Sequence, residues 1–176
     1  MKIFVLRHGQ TAENITGVMQ GNMDTLLDEL GEEQARARQA DVLKNHIDLV
    51  ISSPRKRTIK TALLAAPNVP LVVDERLRSR DHGEFEGMRR DEIDIYDYWN
   101  IKENKQYERA ESVQALYDRV ADLLEDVKVK CKGKNVMLVT HSGICRILYY
   151  YFNGIPEDGD LLEYKSTNCS FEEYEL

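Results

Sequence analysis

The stretch VLRHGQTAEN, residues 5–14, places a guanidinium and an imidazole, Arg7 and His8, directly behind an apolar run and ahead of Gly9. A similar arrangement returns in LVTHSG, residues 138–143, where apolar residues again lead to a histidine, His141, and then a glycine. A third apolar run, DLVIS, passes into SSPRKR and carries Arg57. Two imidazoles and two guanidiniums brought to one place suit phosphoryl transfer. Guanidiniums grip non-bridging phosphate oxygens through paired hydrogen bonds. A neutral imidazole is a competent nucleophile near pH 7, and a second can steady charge on the equatorial oxygens. Free amides at helix N-termini after Gly9 and Ser142 would add to the cradle. Fixed cations take the place of magnesium in such a site, and no histidine pair has the HxxxH spacing of a zinc helix, so neither metal nor cofactor is expected.

For these groups to meet, each must stand where a strand ends. Lys2–Leu6 and Asp48–Ser52 read as buried strands, as do Pro70–Val73 and Val136–Thr140. Between them lie helical patterns: Gly31 to about Asn45, a segment from Pro54 to Ala66 with Ser53 as its cap, a long apolar stripe from Ser112 onward, and Gly143–Phe152. Cys169–Tyr174 reads as a last edge strand. Alternation of this kind predicts an α/β fold, a mostly parallel sheet sandwiched between helices on both faces. In open α/β sheets ligands bind at the carboxyl ends of strands, where His8, Arg57 and His141 would all arrive.

The chain has 176 residues, which predicts one domain over 1–176. Residues 74–110 are polar, aromatic and irregular, and are expected to set specificity; Tyr96, Tyr98, Trp99 and Tyr107 either line a pocket there or pack over the sheet edge. A net charge of −7 excludes a general nucleic-acid or acidic-membrane binder, while leaving small anions open to a local arginine cluster. Three cysteines without a CxxC pair suit a reducing compartment, and no segment reaches membrane-spanning length, so a cytoplasmic protein is expected. His46 and His82 are expected to be structural or solvent-facing. An exposed last strand leaves a homodimer open.

VLRHGQTAEN, QGNMDTLLDELGEEQA, SSPRKRTIKTA, DERLRSRDHGEFEG, ESVQALYDRV and VTHSGICRIL follow one another in an order that resembles the histidine phosphatase superfamily, in its phosphoglycerate mutase-like branch. The resemblance spans nearly the full chain. It implies a metal-independent phosphomonoester hydrolase of small phosphorylated metabolites with His8 as the phosphohistidine nucleophile, and it gives Arg7, Arg57 and His141 to the phosphate pocket. Asn14 matches a phosphate-contacting position, Gln20 and Gly21 match a substrate-side loop, and Gly9 would permit close backbone approach.

One departure matters. The family carries a glutamate general acid where Leu77-Arg78-Ser79 has serine, which cannot protonate a leaving alkoxide at neutral pH. Asp81 is the expected substitute and Glu84 the alternative. Family mutases enclose their site with insertions and a longer tail; this chain ends at Leu176 soon after its last strand, so hydrolysis is expected over mutase-type transfer. Two further readings stand beside it: a phosphohistidine protein phosphatase, which fits the short length, and a non-catalytic phosphate-binding regulatory module, motivated by Ser79.

Overall fold

The structure is a computed structural model and describes residues 1–176. Five strands form one sheet: β1 Lys2–Arg7, β2 Leu49–Ser52, β3 Leu71–Val73, β4 Val136–Thr140 and β5 Phe171–Glu175, ordered β3-β2-β4-β1-β5. All pairings are parallel except β1 with β5, which is antiparallel and leaves β5 at the edge. The helices are α1 Ala12–Thr16, α2 Glu29–Ala37, α3 Gln39–Lys44, α4 Lys56–Ala65, α5 Ile95–Tyr98, α6 Val113–Lys130 and α7 Ser142–Asn153.

Strand side chains alternate between two cores, as the period of two requires. Ile3, Val5, Ile51, Val136 and Leu138 join the core of α6 and α7, in which α6 buries Val113, Leu116, Val120, Leu123, Leu124 and Val127 at helical spacing. Phe4, Leu6, Val50, Met137 and Val139 point the other way, onto Ala35 of α2, Val42 of α3, and Ala62 and Ala65 of α4. With every residue buried, β4 is the spine of the sheet. No helix is long and apolar enough to cross a membrane.

Two local readings need correction. The helix expected from Gly31 to Asn45 breaks at Arg38, whose amide bonds back to Ala35 while its guanidinium reaches the Cys169 carbonyl and Asp41. Ser53 does not cap the next helix. That helix begins at Lys56, with Arg55 in extended conformation before it and no side-chain cap, because the Ser53 hydroxyl is engaged by His141 across the sheet edge. α1 has no counterpart in the sequence reading; a capping box between Thr11 and Asn14 closes it in five residues, too few for an apolar period to show.

Candidate active site

Register brings the chemistry together. Arg7 of β1 pairs with Thr140 of β4, and Ser52 of β2 pairs with Val139. The residues just past these strands, His8, Ser53 and His141, therefore lie side by side. The ladder extends one step beyond the strands, with the His8 amide on the Thr140 carbonyl and the Ser53 amide on the Val139 carbonyl. The imidazoles of His8 and His141 meet edge to face, with centroids 5.3 Å apart.

Hydrogen bonds assign their tautomers. His8 is buried, and its Nδ1 lies 2.7 Å from the Gly9 carbonyl oxygen, an acceptor only. Nδ1 therefore carries the proton, and Nε2, which has no partner in the protein, keeps its lone pair. His141 is the opposite case. Its Nδ1 accepts from the Arg57 guanidinium at 3.1 Å, so Nε2 carries the proton and donates to the Ser53 hydroxyl at 2.7 Å. Both rings are held well below the ordinary histidine range, first by burial and then by the neighbouring Arg57.

Arg57 is buried, and burial pushes it down to about 10, which leaves it fully cationic at neutral pH. It donates to the carbonyls of Met23 and Gly21 and to His141, so it clamps the 20–25 loop onto the sheet edge. Gly21 is required in that loop: its φ is +46°, and a Cβ would stand 2.2 Å from Glu86 Oε1. The Gln20 carboxamide accepts from Thr25. Arg7 donates to the Ser166 carbonyl at 2.6 Å. The Nε atoms of Arg7 and Arg57 are buried without partners.

A cavity of about 450 Å³ opens over this edge. Arg7, His8, Asn14, Gln20, Gly21, Arg57, His141 and Ser142 all line it, and Val18, Met19, Ile95 and Trp99 are its only apolar contributors. No side chain caps α7, so its first amides, beginning with Ser142, are free to face an anion there. Asn14 uses its carbonyl oxygen on the Thr11 amide and on Asn168, which leaves its NH₂ without a protein acceptor.

Three expected residues lie elsewhere. Gly9 does not line the cavity, and its amide is committed to the Thr61 hydroxyl. Its missing side chain serves the fold instead, since a Cβ would sit 2.3 Å from the Gly31 carbonyl oxygen of α2. Asp81 and Glu84 are also absent from the wall. The Asp81 carboxylate accepts from the Gly83 amide at 2.9 Å, turning the chain into the next 3-10 turn.

The cavity adds residues that sequence reasoning missed. Glu13 lines it, with Oε2 buried and unpartnered. Ser79, Arg80 and His82 come from a single short stretch, and His82, expected to be structural or solvent-facing, is buried and lines the cavity. Arg80 lies 3.7 Å over the Tyr98 ring, and Arg146 lies 4.4 Å from the Trp99 ring, which also lines the cavity. Gly143 makes room for that indole, because a Cβ there would meet it at 2.9 Å. Arg80 Nη2 and Arg146 Nε are both buried without a partner, and neither arginine has a carboxylate within salt-bridge distance. For Arg146 the sequence did offer a signal, since GICR carries an arginine with no acidic residue at helical spacing.

A sequence profile described as the histidine phosphatase superfamily (branch 1) matches residues 3–176. Phosphoserine phosphatase 1 of Hydrogenobacter thermophilus is 29% identical over 184 residues, spanning 100% of this chain and 85% of that protein. The metal-independent phosphoserine phosphatase of Arabidopsis thaliana is 31% identical over 183 residues, covering 92% of this chain and 72% of its own. Among solved structures, a mycobacterial glucosyl-3-phosphoglycerate phosphatase complexed with VO3 is similar with a TM-score of 0.86 at 26% identity, over 98% of this chain and 91% of that one.

Proposed function

The chain belongs to branch 1 of the histidine phosphatase superfamily, and from that premise we propose that it hydrolyses small phosphomonoesters through a phosphohistidine on His8. The observation that carries this reading is the state of the His8 ring: Nδ1–H is spent on the Gly9 carbonyl, while Nε2 is free on a ring that lines a cationic cavity. A substrate phosphate seated against Arg7, Arg57, the Asn14 amide and the first turn of α7 presents phosphorus to that nitrogen. The cavity has guanidiniums fixed where charge grows on the equatorial oxygens, which lowers the barrier without reorganisation. Arg57 holds His141 by Nδ1, and Ser53 holds Nε2, so His141 keeps Arg57 in place during the transfer.

The substrate class follows from the rest of the wall. Arg80 and Arg146 hold unpaired donors in the same cavity, so a metabolite that carries a second anionic group beside its phosphate fits better than a neutral one. Residues 79–99 of the 74–110 segment supply Ser79, Arg80, His82, Arg90, Ile95 and Trp99 to that wall, which supports the reading of this segment as the source of specificity.

The test is a trapping experiment. Brief incubation with ³²P-labelled substrate followed by alkaline quench should leave an acid-labile, alkali-stable label on the wild-type chain at His8, and none on His8→Ala. Equal labelling of His8→Ala would refute the assignment.

A further inference from the structure

The cavity wall holds four side chains able to pass a proton near neutral pH: His8, Glu13, His82 and His141. On the reading above, His8 is used as the nucleophile, and both nitrogens of His141 are bonded to Ser53 and Arg57. Glu13 sits on α1, on the nucleophile's own loop. An in-line displacement needs its acid across phosphorus from the attacking atom, a place that a group from a separate stretch of the wall reaches more readily than one five residues from His8. His82 comes from such a stretch. It belongs to the same wall as Ser79, three residues along, where the other titratable group facing the cavity, Arg80, is a guanidinium that does not exchange its proton near neutral pH.

His82 is also held as a proton donor must be. The residue is only 8% exposed, and its Nδ1 lies 2.6 Å from the Tyr98 hydroxyl. Nε2 has no partner in the protein and is not sealed from solvent, which on a cavity-lining ring leaves it open to the cavity. Tyr98 is itself buried under Arg80, so the anchor does not wander. Nδ1–H donates to the Tyr98 oxygen both in the imidazolium and in the neutral tautomer left once Nε2 has given up its proton, so the imidazole keeps one orientation in both states.

We propose that His82 is the acid–base residue of this phosphatase, delivering a proton from Nε2 to the departing oxygen and later taking one from the attacking water. This rests on the phosphohistidine reading. In the first half-reaction the His8 Nε2 lone pair forms the P–N bond, the P–O bond breaks, and its electron pair stays on the leaving oxygen, which takes the His82 proton. In the second, water adds to phosphorus, the P–N pair returns to His8, and the water proton restores the His82 imidazolium. The proton count closes over one turnover. In the free protein, burial and then the cations Arg80 and Arg57 push His82 down to about 3. A phosphate dianion bound against the same arginines reverses that local field and lets the ring charge.

The experiment compares an alkyl ester, O-phosphoserine, with an aryl ester, 4-nitrophenyl phosphate, whose leaving group needs no protonation. In His82→Gln the ratio of alkyl to aryl kcat/KM should fall about 10²–10⁴-fold, the usual reach of a general acid. Tyr98→Phe, which keeps the ring volume but loses the anchor, should shift the ratio the same way by a smaller factor. Global damage would lower both substrates together and leave the ratio unchanged; an unchanged ratio in both variants, or a selective loss in Glu13→Gln in place of His82→Gln, overturns the assignment. The aryl ester should still label His8 in His82→Gln. Absence of that label from the wild-type chain would instead refute the nucleophile.

Discussion

His8 and His141 follow paired residues of adjacent strands, yet their hydrogen bonds give them opposite chemistries. One keeps a free lone pair on Nε2, and the other is locked between a hydroxyl and a guanidinium. The arginines divide in the same manner. Arg57 spends both terminal nitrogens on the protein, leaving only Nε unpaired, and so acts as a clamp, whereas Arg80 keeps the terminal Nη2 unpaired and Arg146 gives the protein a single hydrogen bond, to the Tyr164 carbonyl. A buried donor without an acceptor costs about 1–3 kcal/mol, a penalty that a second anionic group on the substrate would remove. Arg146→Leu should therefore lower kcat/KM for a phosphorylated hydroxy acid by about 10–100-fold relative to ethyl phosphate, the equivalent of one charged hydrogen bond of roughly 1.5–3 kcal/mol. Equal losses on the two substrates would show that Arg146 only supports Trp99.

At the scale of elements, the site depends on how closely the loop after β1 lies against α2. Gly9 and Gly31 allow this: a Cβ on Gly31 would stand 2.1 Å from the Gln10 carbonyl oxygen, and one on Gly9 would strike the Gly31 carbonyl. Asp28 and Gln34 then tie Gln10 to α2 by side-chain hydrogen bonds. Intrinsic propensity favours alanine over glycine by about 1 kcal/mol in a helix, so the sign of a substitution is informative. Gly31→Ala should destabilise the protein by about 1–3 kcal/mol in urea denaturation, because backbone on both sides cannot yield. A stabilised variant would mean that the loop can lift from α2 without cost.

The molecule as a whole carries a net charge of −7 around a cationic cavity that buries three histidines, His8, His82 and His141. All three are held below the usual value of 6.5, His82 at about 3. Below pH 6.5 the unfolded chain binds protons that the folded one refuses, so stability rises with pH in this window and is lost as pH falls through it. Between pH 7.5 and 5.5 each ring should contribute a loss of about 1.4 kcal/mol, measured by urea unfolding at the two values. His82→Gln should remove roughly a third of that dependence; an unchanged slope would mean that this ring already charges in the folded state. The order of strands and helices, the parallel sheet and the arrival of Arg7, His8, Arg57 and His141 at one edge were legible along the chain, because apolar period and strand-end position are local properties and parallel strands gather their carboxyl ends. The proton donor was not legible. Asp81 and Glu84 have the right chemistry in the right segment, but the Asp81 side chain turns back onto the Gly83 amide, and neither carboxylate lines the cavity. His82 read along the chain as a structural or solvent-facing histidine, and only the bond to Tyr98 shows how its ring is held. Ser53 looked like a cap until His141 took its hydroxyl. In both cases the deciding hydrogen bond joins residues from different elements, 16 and 88 positions apart, and only packing brings such partners within reach.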